Sequence, residues 1–121
     1  MTTHHPAGSV HGSLSIDFST IADEVRQEKA YAQEGHAART LLREADLRIV
    51  LIVMKAGSRM KDHLAKDTAS IQTISGHVTL RLPDRRVDLS PGGLLILERG
   101  LTHDVEATTD SVFLLTLGWT G

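Results

Sequence analysis

The 121-residue chain contains no cysteine. It therefore has no thiol with which to form a disulfide, bind zinc or act as a nucleophile. Any chemistry must use histidine, carboxylate groups or the backbone. The absence of cysteine is compatible with a reducing compartment, and the first thirteen residues contain no apolar segment of the kind found in secretory signals. We therefore expect a cytoplasmic protein.

The sequence also lacks a strong excess of charge and a long apolar run. Its formal net charge is -2, too small to create a field that would recruit nucleic acid or an anionic membrane. The longest apolar run, Leu47 to Met54, is interrupted by Arg48 and is far shorter than the roughly 20 residues of a membrane-spanning helix. We expect neither nucleic acid nor membrane as a partner, and the run is typical of a buried strand.

The length and composition predict one globular domain. A chain of this size, with 40% hydrophobic residues, has room for a single core. Residues 1–15 are mostly small and polar and include three histidines, which is typical of a flexible terminus. We therefore expect a flexible N-terminal segment over residues 1–15 and one domain over residues 16–121.

A single amphipathic helix is predicted near the start of this domain, over Thr20 to Glu34. Thr20 followed by Asp23 resembles a capping box, and Gly35 offers a C-terminal stop. Apolar residues between them recur at helical spacing, as expected of a helix that packs one face on a core.

After Gly35 the helical period gives way to short β-type runs separated by turn residues. Many short strands at this spacing favour a closed barrel or sandwich, because closure removes exposed sheet edges. We predict an all-β barrel of two antiparallel sheets preceded by the one helix. The predicted strands are Ala38 to Arg43, Leu47 to Lys55, Arg59 to Leu64, Ser70 to Ile74, Val78 to Leu82, Arg86 to Leu89, Leu94 to Glu98, Thr102 to Ala107 and Ser111 to Trp119.

Two ordered sets of glycine and histidine lie within this β region, and the first begins at Gly57. Five residues separate Gly57 from His63, and Gly76 ends the set. This resembles the first of the two motifs of the cupin superfamily, which runs Gly, five residues, His, one residue, His, three or four residues, Glu, six residues, Gly. Ala65 stands at the position of the second histidine, and Ala69 stands at that of the glutamate.

The second set resembles the second cupin motif, which runs Gly, five residues, Pro, one residue, Gly, two residues, His, three residues, Asn. Gly92, Gly100 and His103 are in place. Glu98 replaces the proline, and Ala107 replaces the asparagine. The chain is thus similar to small single-domain cupins, and the resemblance implies the RmlC-like jelly roll of that superfamily.

The resemblance also bears on metal binding. Cupins hold iron, manganese, nickel or zinc with three His and one Glu, and only His63 and His103 occupy those positions here. Two neutral imidazoles bind a divalent ion weakly and leave further positions to water. The resemblance therefore implies no assured cofactor and at most a weakly held divalent metal at these two residues.

The alanines at two ligand positions predict a wide, apolar cavity. Small side chains in place of His and Glu remove bulk and charge from the barrel interior. The register implied by the resemblance places Ala69 on the inner face, so alternation places Ile71 and Thr73 there too, and Met60 lies near His63 in the chain. We predict a small-molecule site formed by these three residues with His63 and His103. Filling of the space by large neighbours is the alternative.

Three other polar residues are candidates for the same site. Gln72 faces away from the barrel if alternation holds. His36 either reaches over the barrel mouth or caps the preceding helix. Glu98 either ligates or accepts a proton near His103, or pairs with a neighbouring arginine.

Three functions remain open on this basis. The first is a domain that binds a small molecule without metal. The second is a metal-dependent enzyme of the isomerase or dioxygenase type that uses His63 and His103. The third is a metal-free acid–base enzyme, because imidazole titrates near neutral pH.

A homodimer is predicted from two apolar strands. Residues Ile49 to Met54 are apolar at every position, and Val112 to Leu117 are nearly so, with Thr116 the only break. Both faces of such strands must be covered. One short helix is too small to cover both outer surfaces, so we expect a second copy of the chain to do so.

Overall fold

The computed structural model describes residues 12–64 and 66–118. Most of the expected flexible segment therefore lies outside the described residues, as do Ala65 and Trp119. Within the described part, no helix is long and apolar enough to cross a bilayer. The elements are α1 (Phe18–Arg26), α2 (Lys29–Glu34), β1 (His36–Arg43), β2 (Leu47–Met54), β3 (Arg59–Leu64), β4 (Ala69–Ser75), β5 (Val78–Arg81), β6 (Arg86–Leu89), β7 (Leu94–Leu97), β8 (Thr102–Ala107) and β9 (Ser111–Gly118).

The strands form two antiparallel sheets that enclose the main core. The first sheet has the order β1-β2-β9-β4-β7, and the second has the order β3-β8-β5-β6. Apolar residues from both sheets form one cluster between them. The predicted all-β barrel of two antiparallel sheets is therefore confirmed, and the strand bounds agree with the sequence to within two residues.

Strand β2 is buried on both faces, as its apolar sequence requires. Val50, Ile52 and Met54 belong to the core between the sheets. Leu51 and Val53 point the other way, into a second cluster beneath the helices. An apolar strand is stable only when both faces are covered, and here the second sheet covers one face and the helices cover the other.

The prediction of a single helix over Thr20 to Glu34 is wrong. The chain forms two helices, with a break at Gln27 and Glu28. The first helix begins after Asp17, so Thr20 lies inside it and not at its start. The Thr20 hydroxyl donates to the Asp17 carboxylate at 2.8 Å, and this bond, aided by one from Ser19, holds the pKa of that carboxyl below its usual value.

The break has a geometric cause. Val25 of α1 and Tyr31 of α2 are both buried against the first sheet. In one continuous helix these residues, six positions apart, would point about 120° apart around the axis. Interrupting the helix between them lets both side chains reach the same sheet.

Arg39 on β1 links α1 and the break between the helices to the first sheet. The Arg39 guanidinium donates to Glu24 at 3.0 Å and to Glu28 at 2.8 Å. The hydrogen bond that Arg39 donates to Glu28, followed by the one to Glu24, raises the pKa of Arg39 above its usual value. The side chain thus joins α1, the break and β1 through charge-assisted hydrogen bonds.

Two motif glycines occupy turns with similar backbone conformations but different surroundings. Gly76, between β4 and β5, has a φ of 80°, and a Cβ there would overlap the Asp110 carbonyl oxygen and the Ser111 side chain. Gly100, between β7 and β8, has a φ of 78°, but a Cβ there would meet no atom within 4 Å. Gly76 is therefore required for space as well as for conformation.

We expect Gly76→Ala to destabilise the protein far more than Gly100→Ala. The Gly100 variant bears only the strain of an alanine at positive φ, about 1–2 kcal/mol. The Gly76 variant must also displace packed backbone, which brings its loss to about 3 kcal/mol or more. Urea unfolding followed by circular dichroism measures both changes. Equal losses would contradict the overlap at Gly76.

Candidate functional site

The structure brings together the two histidines that the sequence motifs single out. His63 of β3 lies directly opposite His103 of β8 in the second sheet. Their ring centroids are 6.1 Å apart, and the ring planes are tilted by 36°. Both side chains line one cavity in the barrel.

A β-bulge in β3 puts Met60 on the same face as His63. Residues three apart in a regular strand point to opposite faces. Here Met60 lies opposite Val105 and His63 lies opposite His103, so β3 has one more residue than β8 between these pairs. The extra residue puts the side chains of Met60 and His63 on the same face of the sheet, and both line the cavity.

The two histidines differ in exposure. His103 is only 7% exposed, whereas His63 is exposed at the cavity mouth. Nδ1 of His103 lies 3.2 Å from the carbonyl oxygen of Leu101. Because a carbonyl oxygen only accepts, Nδ1 carries the proton, and in the neutral ring Nε2 is the acceptor left for a ligand.

The cavity between the sheets has a volume of about 150 Å³. An apolar cavity of about this size holds one benzene-sized molecule. Leu64, at its mouth, is 57% exposed, so the cavity borders solvent on that side. Apart from the two histidines its walls are apolar, formed by Ile52, Met60, Leu64, Ile71, Val105, Phe113, Leu115 and Leu117.

The wall formed by β9 was missed at the level of sequence. Phe113, Leu115 and Leu117 occupy alternate positions of that strand and face the barrel interior. Their alternation is hidden because Leu114, which faces outward, is also apolar. The available signal was indirect: a strand that is apolar on both faces must turn one of them toward the barrel interior.

The two predicted contributions from β4 have different outcomes. Ile71 lines the cavity. The structure does not bring Thr73 to it, because the Thr73 side chain is buried elsewhere in the core and its hydroxyl donates to the Leu89 carbonyl oxygen at 3.2 Å. Ala69, at the glutamate position of the motif, is buried in the same strand. Ala65, at the second histidine position, lies outside the described residues.

The other polar candidates lie away from the cavity. His36 begins β1 and pairs with Met54, at the end of the first sheet opposite to Leu117. Gln72 pairs with the exposed Leu94 on the outer side, as alternation required. Glu98 is exposed in the turn after β7.

Within residues 12–64 and 66–118, the cavity does not bring together a complete set of metal ligands. Among the described residues, no group of three or more His, Asp or Glu side chains is placed to hold an ion. The facing pair of imidazoles supplies two ligands, and the cavity walls around them carry no further oxygen or nitrogen donor among the side chains named above. A divalent ion here would need its remaining ligands from water or from a bound molecule.

Comparison with known families identifies the chain. A model of the AraC-like ligand binding domain matches residues 49–120, which is more than half of the sequence. The chain belongs to this family. The matched region of the AraC-like ligand binding domain includes both histidines and most of the cavity wall. No curated protein matches the sequence at a significant level.

Solved structures similar to this AraC-like ligand binding domain are cupins or share their fold. A conserved Streptococcus pyogenes protein of unknown function is 19% identical with a TM-score of 0.73, covering 98% of this chain and 97% of its own. A cupin-2 domain protein from Shewanella frigidimarina is 14% identical with a TM-score of 0.68, covering 85% and 93%. A cupin superfamily protein from Desulfitobacterium hafniense is 14% identical with a TM-score of 0.66, covering 69% and 77%. These likenesses establish the cupin fold alone.

We expect Leu64→Ser to weaken the binding of benzene, with little change in stability. Leu64 is more than half exposed, so its replacement removes little buried area, but it adds a polar group to the cavity mouth. Leu94→Ser is the matched control, because Leu94 is 56% exposed on the outer side. Benzene titration followed by NMR measures the affinity. Equal weakening in both variants would count against this cavity as the site.

Proposed function

We propose that this AraC-like ligand binding domain binds a small molecule in the barrel cavity, with His63 and His103 as polar contacts. The observation that carries the proposal is the pair of facing imidazoles in a cavity whose walls are otherwise apolar. Sites for small molecules commonly combine an apolar cavity with a few converging polar groups. The family match supports the same function.

The proposed ligand is fixed in orientation by two unequal contacts. His103, buried and hydrogen-bonded to Leu101 through Nδ1, presents a defined acceptor at Nε2 when neutral. His63, nearer to solvent, adjusts to the part of the ligand at the mouth. The apolar body of the ligand lies against the β9 side of the cavity.

A metal-dependent cupin enzyme that uses His63 and His103 is the second candidate. The close approach of the two rings favours it, because one ion can bridge two facing imidazoles. The absence of a third donor group among the described residues weighs against it. Binding of a metal ion is therefore an arm of the test below.

We also propose a homodimer, through a surface different from the one that the sequence suggested. The helices already cover Leu51 and Val53 on the outer side of β2. An exposed apolar patch lies on β7, an edge strand of the five-stranded sheet, where Leu94 is 56% and Ile96 is 66% exposed. A second copy pairing with this edge would satisfy its free backbone groups and cover both side chains.

The ligand proposal is tested by thermal shift with a neutral aromatic probe, benzyl alcohol, and separately with Zn²⁺ alone. We expect benzyl alcohol to raise the melting temperature of the natural protein through mass action, equivalent to about 2.7 kcal/mol at one hundred times Kd. His103→Ala and His63→Ala should reduce this shift, whereas His36→Ala, at the far end of the barrel, should not. If the natural protein responds only to Zn²⁺, and both cavity variants abolish that response, the metal candidate replaces this proposal. No response to either probe refutes both.

The dimer proposal is tested by light scattering at micromolar concentration. We expect the natural chain to be dimeric and Ile96→Lys to be monomeric, because a stable interface of about 1,200 Å² or more does not accept an unpaired charge at its centre. Leu64→Lys, at a residue of comparable exposure on the cavity mouth, is the control and should remain dimeric. A monomeric natural protein would contradict the proposal.

A further inference from the structure

The residue that interrupts the apolar run of β2 lies on the barrel side of that strand. Arg48 has the same parity as Val50 and Ile52, which belong to the barrel core. The pairing of β2 with β9 is regular along its whole length, so this parity holds at Arg48. Arg48 pairs with Leu117, which lines the cavity. Arg48 is not among the residues that line the cavity, but it lies on the barrel side of β2 beside Leu117, at one end of the cavity.

Arg48 is held in this place without a partner among the described residues. The side chain is half-buried, and its Nε has almost no contact with solvent and no hydrogen bond. A buried donor on a cationic group is unfavourable unless an acceptor, preferably an anion, reaches it. The position thus calls for an acceptor that the described part of the chain does not supply.

A second arginine strengthens this need for an anion. Arg43 of β1 lies directly opposite Arg48 in the register. Side chains at directly opposed positions share a face, and like charges there repel each other. An anion between the two guanidinium groups would turn this repulsion into attraction.

A second pair of directly opposed arginines occurs in the described barrel, and a carboxylate accepts a hydrogen bond from it. Arg81 of β5 lies opposite Arg86 of β6. The Arg81 guanidinium donates to Glu106 of β8 at 3.3 Å. This second pair is on the solvent side of its sheet, since the alternate residues Val78 and Leu80 are in the core. The pair at Arg43 and Arg48 is therefore the one turned toward the cavity side.

We propose that the cavity takes a small organic carboxylate, and that Arg48, assisted by Arg43, binds its carboxylate group at the mouth. This rests on the proposed function, because it names the chemical class of the same ligand. The apolar part of the molecule lies against Leu115 and Leu117, and the guanidinium fork matches two carboxylate oxygens. His63 and His103 contact the molecule from the opposite sheet.

The test compares benzoate with benzyl alcohol, which have the same ring but differ in charge, by isothermal titration calorimetry. The natural protein should prefer benzoate. Arg48→Met, which keeps the aliphatic stem, should weaken benzoate by about tenfold or more, because a charge-assisted pair is lost, and should leave benzyl alcohol within about twofold. Arg48→Lys should retain part of the preference, and Arg86→Met, in the solvent-facing pair, should change neither affinity.

Equal affinity of the natural protein for the two probes would overturn the inference while leaving the proposed cavity in place. Equal weakening of both probes by Arg48→Met would also overturn it, because the effect would then not depend on the charge of the ligand. Should that variant fold poorly, the salt dependence of the natural protein decides. Benzoate binding should weaken between about 50 and 500 mM salt while benzyl alcohol binding does not, and parallel behaviour would refute the role of charge. If neither probe binds, the proposed function itself fails.

Discussion

Covering both faces of the central strands β2 and β9 is the constraint on which the rest of the structure depends. Their inner faces meet the second sheet, and this contact creates the barrel and its cavity. Their outer faces meet the helices, which must break so that Val25 and Tyr31 both reach the sheet. Arg39 then holds this layer in place. The site and the helical cover are thus two consequences of the same apolar strands.

Most of the fold could be predicted from sequence because its signals are local. Glycines at turns, alternation within strands and the order of the two motifs each require only a few neighbouring residues. The break at Gln27 and Glu28 could not be predicted in this way. Its cause is the position of a distant sheet against which two side chains must pack, while the helical period over Thr20 to Glu34 continues through it. Tertiary packing overrides local propensity at that point.

The candidate site was predictable only in part, for a related reason. Motif spacing found His63 and His103, and alternation found Ile71. Met60 is in the site because of a bulge that simple alternation does not contain. Thr73 has the correct parity, but its hydroxyl donates a hydrogen bond to the Leu89 carbonyl oxygen and its side chain does not line the cavity. In the sequence, Arg48 is visible only as a charged residue within an apolar run. The strand register is needed to show that it lies opposite Leu117.

The pairing of β2 with β9 also has a consequence for how the chain is made. Six strands, β3 to β8, lie between β2 and β9 in the described part of the chain, so all of them leave the ribosome before the central partner of β2 exists. Until then β2 can pack against β1 and the two helices, which directly precede it in the chain. Long-range pairing of this kind is slow and leaves apolar surface exposed to aggregation. The two helices precede β2 in the chain, so they can cover one apolar face of β2 during synthesis, before they cover the outer side of the finished sheet.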